Sequence, residues 1–152
     1  MKATDLMLYD WVKHYTIGVA RVVSLDYFSS IKKPREGIGL MSRDKEWRIN
    51  ITNPLEKSIY GIPLTSEILV KNGFIRRESV ALGWVYTYLW FDEQEDKELE
   101  NEHYFNLSPD HYEGTCFHWI PEMSAVSALC IKYVHELQHV MRLCDIKKEI
   151  EL

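Results

Sequence analysis

Trp84-Val85-Tyr86-Thr87-Tyr88-Leu89-Trp90-Phe91 is the stretch that sets the class of the fold. Each residue in it is aromatic, β-branched or leucine, a composition that suits a pleated, packed surface. Successive side chains of a strand point to opposite faces, so Trp84, Tyr86, Tyr88 and Trp90 share one face and Val85, Thr87, Leu89 and Phe91 the other. With the residues from Val80 onward it reads as one long strand or a strand pair. The aromatic row has two readings. Four rings with polar tips could form an exposed surface that stacks bases or sugars, or anchors a protein partner or a second copy of the chain. A central strand covered on both sides would look the same.

Upstream of this stretch, Thr65 can cap a short helix through its hydroxyl. Glu67 suits the positive end of that helix, and Gly73 after Asn72 supplies a left-handed stop. Two turns carrying Ile68, Leu69 and Phe74 can dock on a sheet but cannot stand alone. The first 60 residues read as short strands: Leu6–Val12, Gly18–Leu25, Gly37–Leu40 and Trp47–Ile51, with a turn over Asp26–Ser30. Tyr9-Asp10-Trp11-Val12 resembles the opening strand of SH3-like barrels. Downstream, His103–Leu107 and Thr115–Ile120 read as strands, and Val126–Ile131 leans the same way. A helix is expected from about Tyr133 to Cys144, and Glu149–Leu152 as a last strand. The expected fold is α+β and rich in β. Residues 1–60 would form an SH3-like small barrel, and residues 61–152 a mainly antiparallel sheet packed by two short helices, as two domains or one continuous one.

At 152 residues the chain has the length of one domain, with 27% charged residues and seven glycines, which excludes a disordered or collagen-like protein. Its net charge of −5 conceals a split: residues 1–77 carry 13 Lys and Arg against 8 Asp and Glu, and residues 78–152 carry 5 against 15. An acidic half argues against nonspecific DNA binding over the whole surface. Seven of the acids fall between Asp92 and Glu102, a run that reads as a solvated connection. No apolar run is long enough to cross a membrane, and no secretory pattern opens the sequence. A cytoplasmic protein with its three cysteines, Cys116, Cys130 and Cys144, reduced is therefore expected. Cys130 and Cys144 read as small apolar core residues.

His135-Glu136-Leu137-Gln138-His139 fits the H-E-x-x-H pattern of zinc metalloproteases. Two histidines four apart on a helix can hold one Zn²⁺ while the glutamate activates its water. Asp145, six residues after His139, is the candidate third ligand. Arg142 stands where that pattern wants a glycine to turn the chain back. On a helical wheel, Val134, Leu137, Val140, Met141 and Cys144 form the apolar stripe, while His135, Gln138, His139 and Arg142 form a polar one facing away from it. A solvated or partner-facing helix surface is the reading preferred over catalytic zinc.

Ile62-Pro63-Leu64-Thr65…Leu69…Asn72-Gly73-Phe74, together with Lys132-Tyr133-Val134-His135-Glu136-Leu137-Gln138-His139, resembles two segments of a group of small bacterial proteins found near phage-derived or mobile elements. The two helices recur in this order in that group. In some members the Glu and second His give way to other polar residues, which implies that the H-E-x-x-H match is fortuitous. The resemblance covers about a fifth of the chain and implies a shared fold without an activity.

Two weaker constellations complete the inventory. Lys32, Lys33 and Arg35, with Arg43, Lys45, Arg48 and the neighbouring Trp47, could contact phosphates and stack a base, or form a solvated hairpin loop. His103, His111, Cys116 and His118 have the types but not the spacing of a zinc site. The expected function is a non-enzymatic binding or adaptor protein of phage or mobile-element type. It would contact a protein partner or itself through Trp84, Tyr86, Tyr88 and Trp90 and the polar face of the last helix, with no cofactor. The alternatives are a zinc hydrolase, with His135, His139 and Asp145 as ligands and Glu136 as base, and RNA or single-stranded DNA binding through Lys32, Lys33, Arg35 and Trp47.

Overall fold

The computed structural model describes residues 6–28, 35–44, 48–52, 58–79, 83–91, 102–109, 116–121 and 129–152. It is α+β and rich in β, with two antiparallel five-stranded sheets and two helices. The chain divides into two compact units, Met1–Pro63 with Tyr133–Val140, and Leu64–Lys132 with Met141–Leu152. No helix among the described residues is long and apolar enough to cross a membrane.

The first unit holds β1 (Trp11–His14), β2 (Gly18–Phe28), β3 (Arg35–Ser42), β4 (Arg48–Thr52) and β5 (Ile59–Gly61), in the order β4-β3-β2-β1-β5. Alternation along the strands sends Val12, Ala20, Val22, Ile38, Leu40 and Ile59 into one core, which Leu6 joins from the segment before β1 and against which Ile17 packs. The β2–β3 register shifts between Val22 and Ser24, leaving Val23 as an extra residue that bends the long strand. Strands β4 and β5 are the sheet's edges, and no pairing among the described residues joins them into a closed barrel. The expected strand over Leu6–Val12 begins only at Trp11, because residues 7–9 are taken into a turn.

The second unit holds α1 (Ser66–Lys71), β6 (Ile75–Ser79), β7 (Gly83–Phe91), β8 (Glu102–Pro109), β9 (Phe117–Ile120) and β10 (Leu129–Ile131), the strands ordered β10-β9-β8-β7-β6. Thr65 caps α1 by accepting from the Ile68 N–H. Gly73 ends the helix at φ 84°, where an L side chain would be strained. The Gly73 and Phe74 N–H groups then donate back to Val70 and Leu69, and both Leu69 and Phe74 are buried. Phe74 meets Tyr88 and Phe105 at centroid distances of 5.2 and 6.2 Å, and Tyr86 meets Phe117 edge-on at 5.7 Å.

The last helix, α2 (Val134–Leu143), runs from the first unit into the residues of the second. It ends as α1 does: the Asp145 N–H donates to Arg142 and the Ile146 N–H to Met141, with Asp145 at φ 56°. The expected last strand over Glu149–Leu152 is absent. Asn72 serves the Glu151 backbone instead, its amide donating to Glu151 O at 2.8 Å and its carbonyl accepting from Glu151 N at 2.7 Å. A buried side chain thus takes the place a neighbouring strand would fill.

Two expectations follow. Tyr86 is a core residue, 5% exposed, so Tyr86→Ala should lower unfolding free energy by about 3 kcal/mol or more in urea titration. His14 is buried and its imidazole is held below its ordinary pKa by desolvation, while Nδ1 accepts from the Thr16 N–H, a bond that needs the neutral ring. The unfolded chain therefore binds this proton first. The stability that neutral His14 contributes is present above a pH of about 6.5 and is lost as pH falls through the lower folded value. Between about pH 7.5 and about pH 5.5 the urea midpoint should fall further for the wild type than for His14→Gln.

Candidate functional site

The H-E-x-x-H segment lies in the first unit, and each of its polar residues is engaged there. Glu136 sits three residues into the helix start, and its Oε2 accepts from the Tyr133 backbone N–H at 3.1 Å, one half of a capping box. Gln138 Oε1 accepts from the Trp11 N–H at 3.3 Å. The His139 Nε2 lies 2.7 Å from Asp10 Oδ2. His135 stacks on Tyr133 at 5.7 Å and meets His139 edge-on at 5.8 Å. The Tyr133 ring in turn lies over Gly61 of β5, where a Cβ would come within 2.5 Å of ring carbons.

This corrects the solvated reading of the polar stripe for His135 and Gln138, while Arg142 on the same stripe is exposed. His135 is 4% exposed and Gln138 2%, as buried as Val134 and Leu137 on the apolar stripe. The wheel sorted the residues correctly by polarity but could not show that the stretch leading into β1 brings Asp10 to His139 and the Trp11 N–H to Gln138. Asp145, the candidate third ligand, is exposed and forms the left-handed stop of α2. With Cys116 and Cys130 joined, no group of three metal-capable His, Cys, Asp or Glu side chains gathers among the described residues.

Asp10 is the residue that the sequence reading passed over. Its side chain is fully buried, and Oδ2 also accepts from the Met7 N–H at 2.7 Å. Its backbone accepts from Val22, and the Tyr9 N–H donates to Val22 O at 2.7 Å. An aspartate inside an apolar run was the available signal, since a buried charge needs partners. Between these anchors the chain makes a turn in which Tyr9 has φ 70°, an uncommon conformation for a residue with a side chain. The turn exposes three consecutive large apolar residues: Met7 at 44%, Leu8 at 44% and Tyr9 at 54%. Arg21 braces it, with its guanidinium 5.6 Å from the Tyr9 ring centroid and 5.1 Å from that of Trp11, and Nε donating to Tyr9 O.

The other expected contact residues are dispersed. On β7, Trp84 is exposed with Arg76 at 4.0 Å over its ring, Tyr86 is buried, and Tyr88 is half-buried against Phe74. Among the described side chains of the row, Tyr86 alone is thus core, where it meets Phe117, a contact from a distant strand that its alternation could not reveal. The side chain of Trp90, together with Lys32, Lys33, Trp47, His111 and the side chain of Arg35, lies outside the described residues. Cys116 and Cys130 form a disulfide with a Cα separation of 5.8 Å, which corrects the expectation of three reduced thiols. The antiparallel register is the reason: Cys130 stands opposite His118, two residues from Cys116. Cys130 is also exposed rather than core. Cys144 is free, and partial burial raises its thiol pKa.

Compared with family models, curated proteins and solved structures, the chain matches none.

His139→Ala would leave the Asp10 carboxylate buried without its imidazole partner. Unfolding free energy should fall by about 3 kcal/mol, measured by denaturant titration. A change near zero would show that the pair contributes nothing to holding the helix.

Proposed function

We propose that the protein is a non-enzymatic binding module that inserts the Met7-Leu8-Tyr9 turn into an apolar recess of a protein partner. One observation carries this reading: three large apolar side chains in a row are held out to solvent on a turn with a left-handed Tyr9. Folding alone favours burying such residues, so their display at this tip points to a partner that covers them. Arg21, between the Tyr9 and Trp11 rings, keeps the tip in shape and offers charge at its rim. The zinc-hydrolase reading has less support, since Glu136 is occupied at the helix start and His139 by Asp10.

The strand order, the bent β2 and the opening Tyr9-Asp10-Trp11-Val12 support reading the first unit as an open relative of SH3-like barrels. The segments that resemble the phage-associated bacterial group contain α1 and the start of α2. That likeness supports a common scaffold and leaves the partner to be read from the surface.

The test is a photo-crosslinking residue placed at Leu8, with the same residue at Tyr15, which is 75% exposed, as the control. In cells of the native source, position 8 should give a discrete protein adduct that position 15 does not. Absence of an adduct at position 8, or the same adducts at both positions, would overturn the reading.

A further inference from the structure

Three metal-capable side chains share one face of the second sheet at its β10 edge. Cys116 precedes β9 and lies two residues from His118, so their side chains fall on the same face. Cys130 is the antiparallel partner of His118, which puts it on that face as well. Cys116 Sγ is bonded to Cys130 Sγ and stands 3.8 Å from His118 Nε2. Cys116 is 7% exposed, His118 is half-buried and Cys130 is open to solvent.

The separation between sulfur and nitrogen is informative. On a tetrahedral zinc ion, with Zn–S near 2.3 Å and Zn–N near 2.0–2.1 Å, a thiolate and an imidazole lie roughly 3.6 Å apart. We propose that, once the disulfide is reduced, Cys116, Cys130 and His118 form a three-ligand site for a zinc-class cation, with the fourth position left to solvent or an incoming ligand. Two thiolates and an imidazole select a soft or borderline ion over magnesium or calcium.

The two states interconvert by balanced chemistry. A dithiol reductant gives two electrons and two protons to the S–S bond, yielding two cysteine thiols and the oxidised, cyclic reductant. The metal then displaces both thiol protons and binds the resulting thiolates and the neutral His118 Nε2. A disulfide-class oxidant takes the two electrons back, re-forms the S–S bond, is itself reduced to two thiols, and releases the ion. In either state β10 stays tied to β9. That matters because β10 has three residues and, among the described residues, pairs with β9 alone. Disulfide and metal are alternative staples of the same edge.

The test uses the full-length protein, reduced with a trialkylphosphine and freed of it under anaerobic conditions, beside the same protein left oxidised. Each is titrated with zinc against a chromophoric chelator. The reduced form should take one zinc per chain and the oxidised form none, and His118→Ala should weaken binding by more than about tenfold. Cobalt(II) in place of zinc should show thiolate-to-metal charge-transfer absorption, lost in Cys130→Ser. The proposal is overturned if the reduced protein takes up no zinc, if the oxidised protein binds it equally, or if uptake is indifferent to both substitutions. Should Cys130→Ser fail to fold, the comparison of reduced and oxidised wild type still decides.

Discussion

The buried carboxylate of Asp10 is the interaction on which the first unit depends. A fully buried aspartate is tolerated only when donors replace the water it has lost, and here they come from two distant parts of the chain. The Met7 N–H fixes the turn that precedes β1, and the His139 imidazole, 129 residues further along the chain, fixes the last helix. Because one oxygen serves both, the position of α2 and the shape of the exposed turn are set together. Three residues of the H-E-x-x-H segment take part in this attachment: its glutamate starts the helix, its glutamine holds β1 and its second histidine holds Asp10.

The second unit depends on rings rather than charge. Phe74, Tyr86, Tyr88, Phe105, Phe117 and Trp119 meet in edge-on, stacked and tilted pairs, and Phe74, just past the end of α1, carries the helix end into them. Both helices end with a residue in the left-handed region followed by a buried apolar one, Gly73 with Phe74 and Asp145 with Ile146. The end of each helix is thus also a point of attachment to the core.

Local chemistry was legible where it acts within a few residues. Thr65 and Gly73 bound α1, and the strand character of Trp84–Phe91 and the extent of α2 within a residue at either end follow from propensity and period. What the sequence hid is what depends on long-range pairing. Strand β5 is three residues long, and β6 reads Ile75-Arg76-Arg77-Glu78-Ser79, too polar to announce itself as an edge strand. The cover over Tyr86 and the burial of His135 and Gln138 come from segments far away in the chain. The cysteine pairing likewise needed the register of β9 with β10. For the candidate surface, Met7, Leu8 and Tyr9 read as part of a strand. Only the bonds of Asp10 turn them outward.

The span between Asp10 and His139 sets the order of events during synthesis. The first 63 residues leave the ribosome long before residues 133–140, which complete their unit. Until then Asp10 lacks its imidazole, and Gly61 lacks the ring that covers it. The nascent N-terminal strands must wait, with unpaired sheet edges and apolar surface open to misassociation. The second unit waits as well, because Asn72 binds the backbone of Glu151. Each unit thus draws on residues from both sides of the other in sequence, and neither can be completed from a continuous stretch of chain.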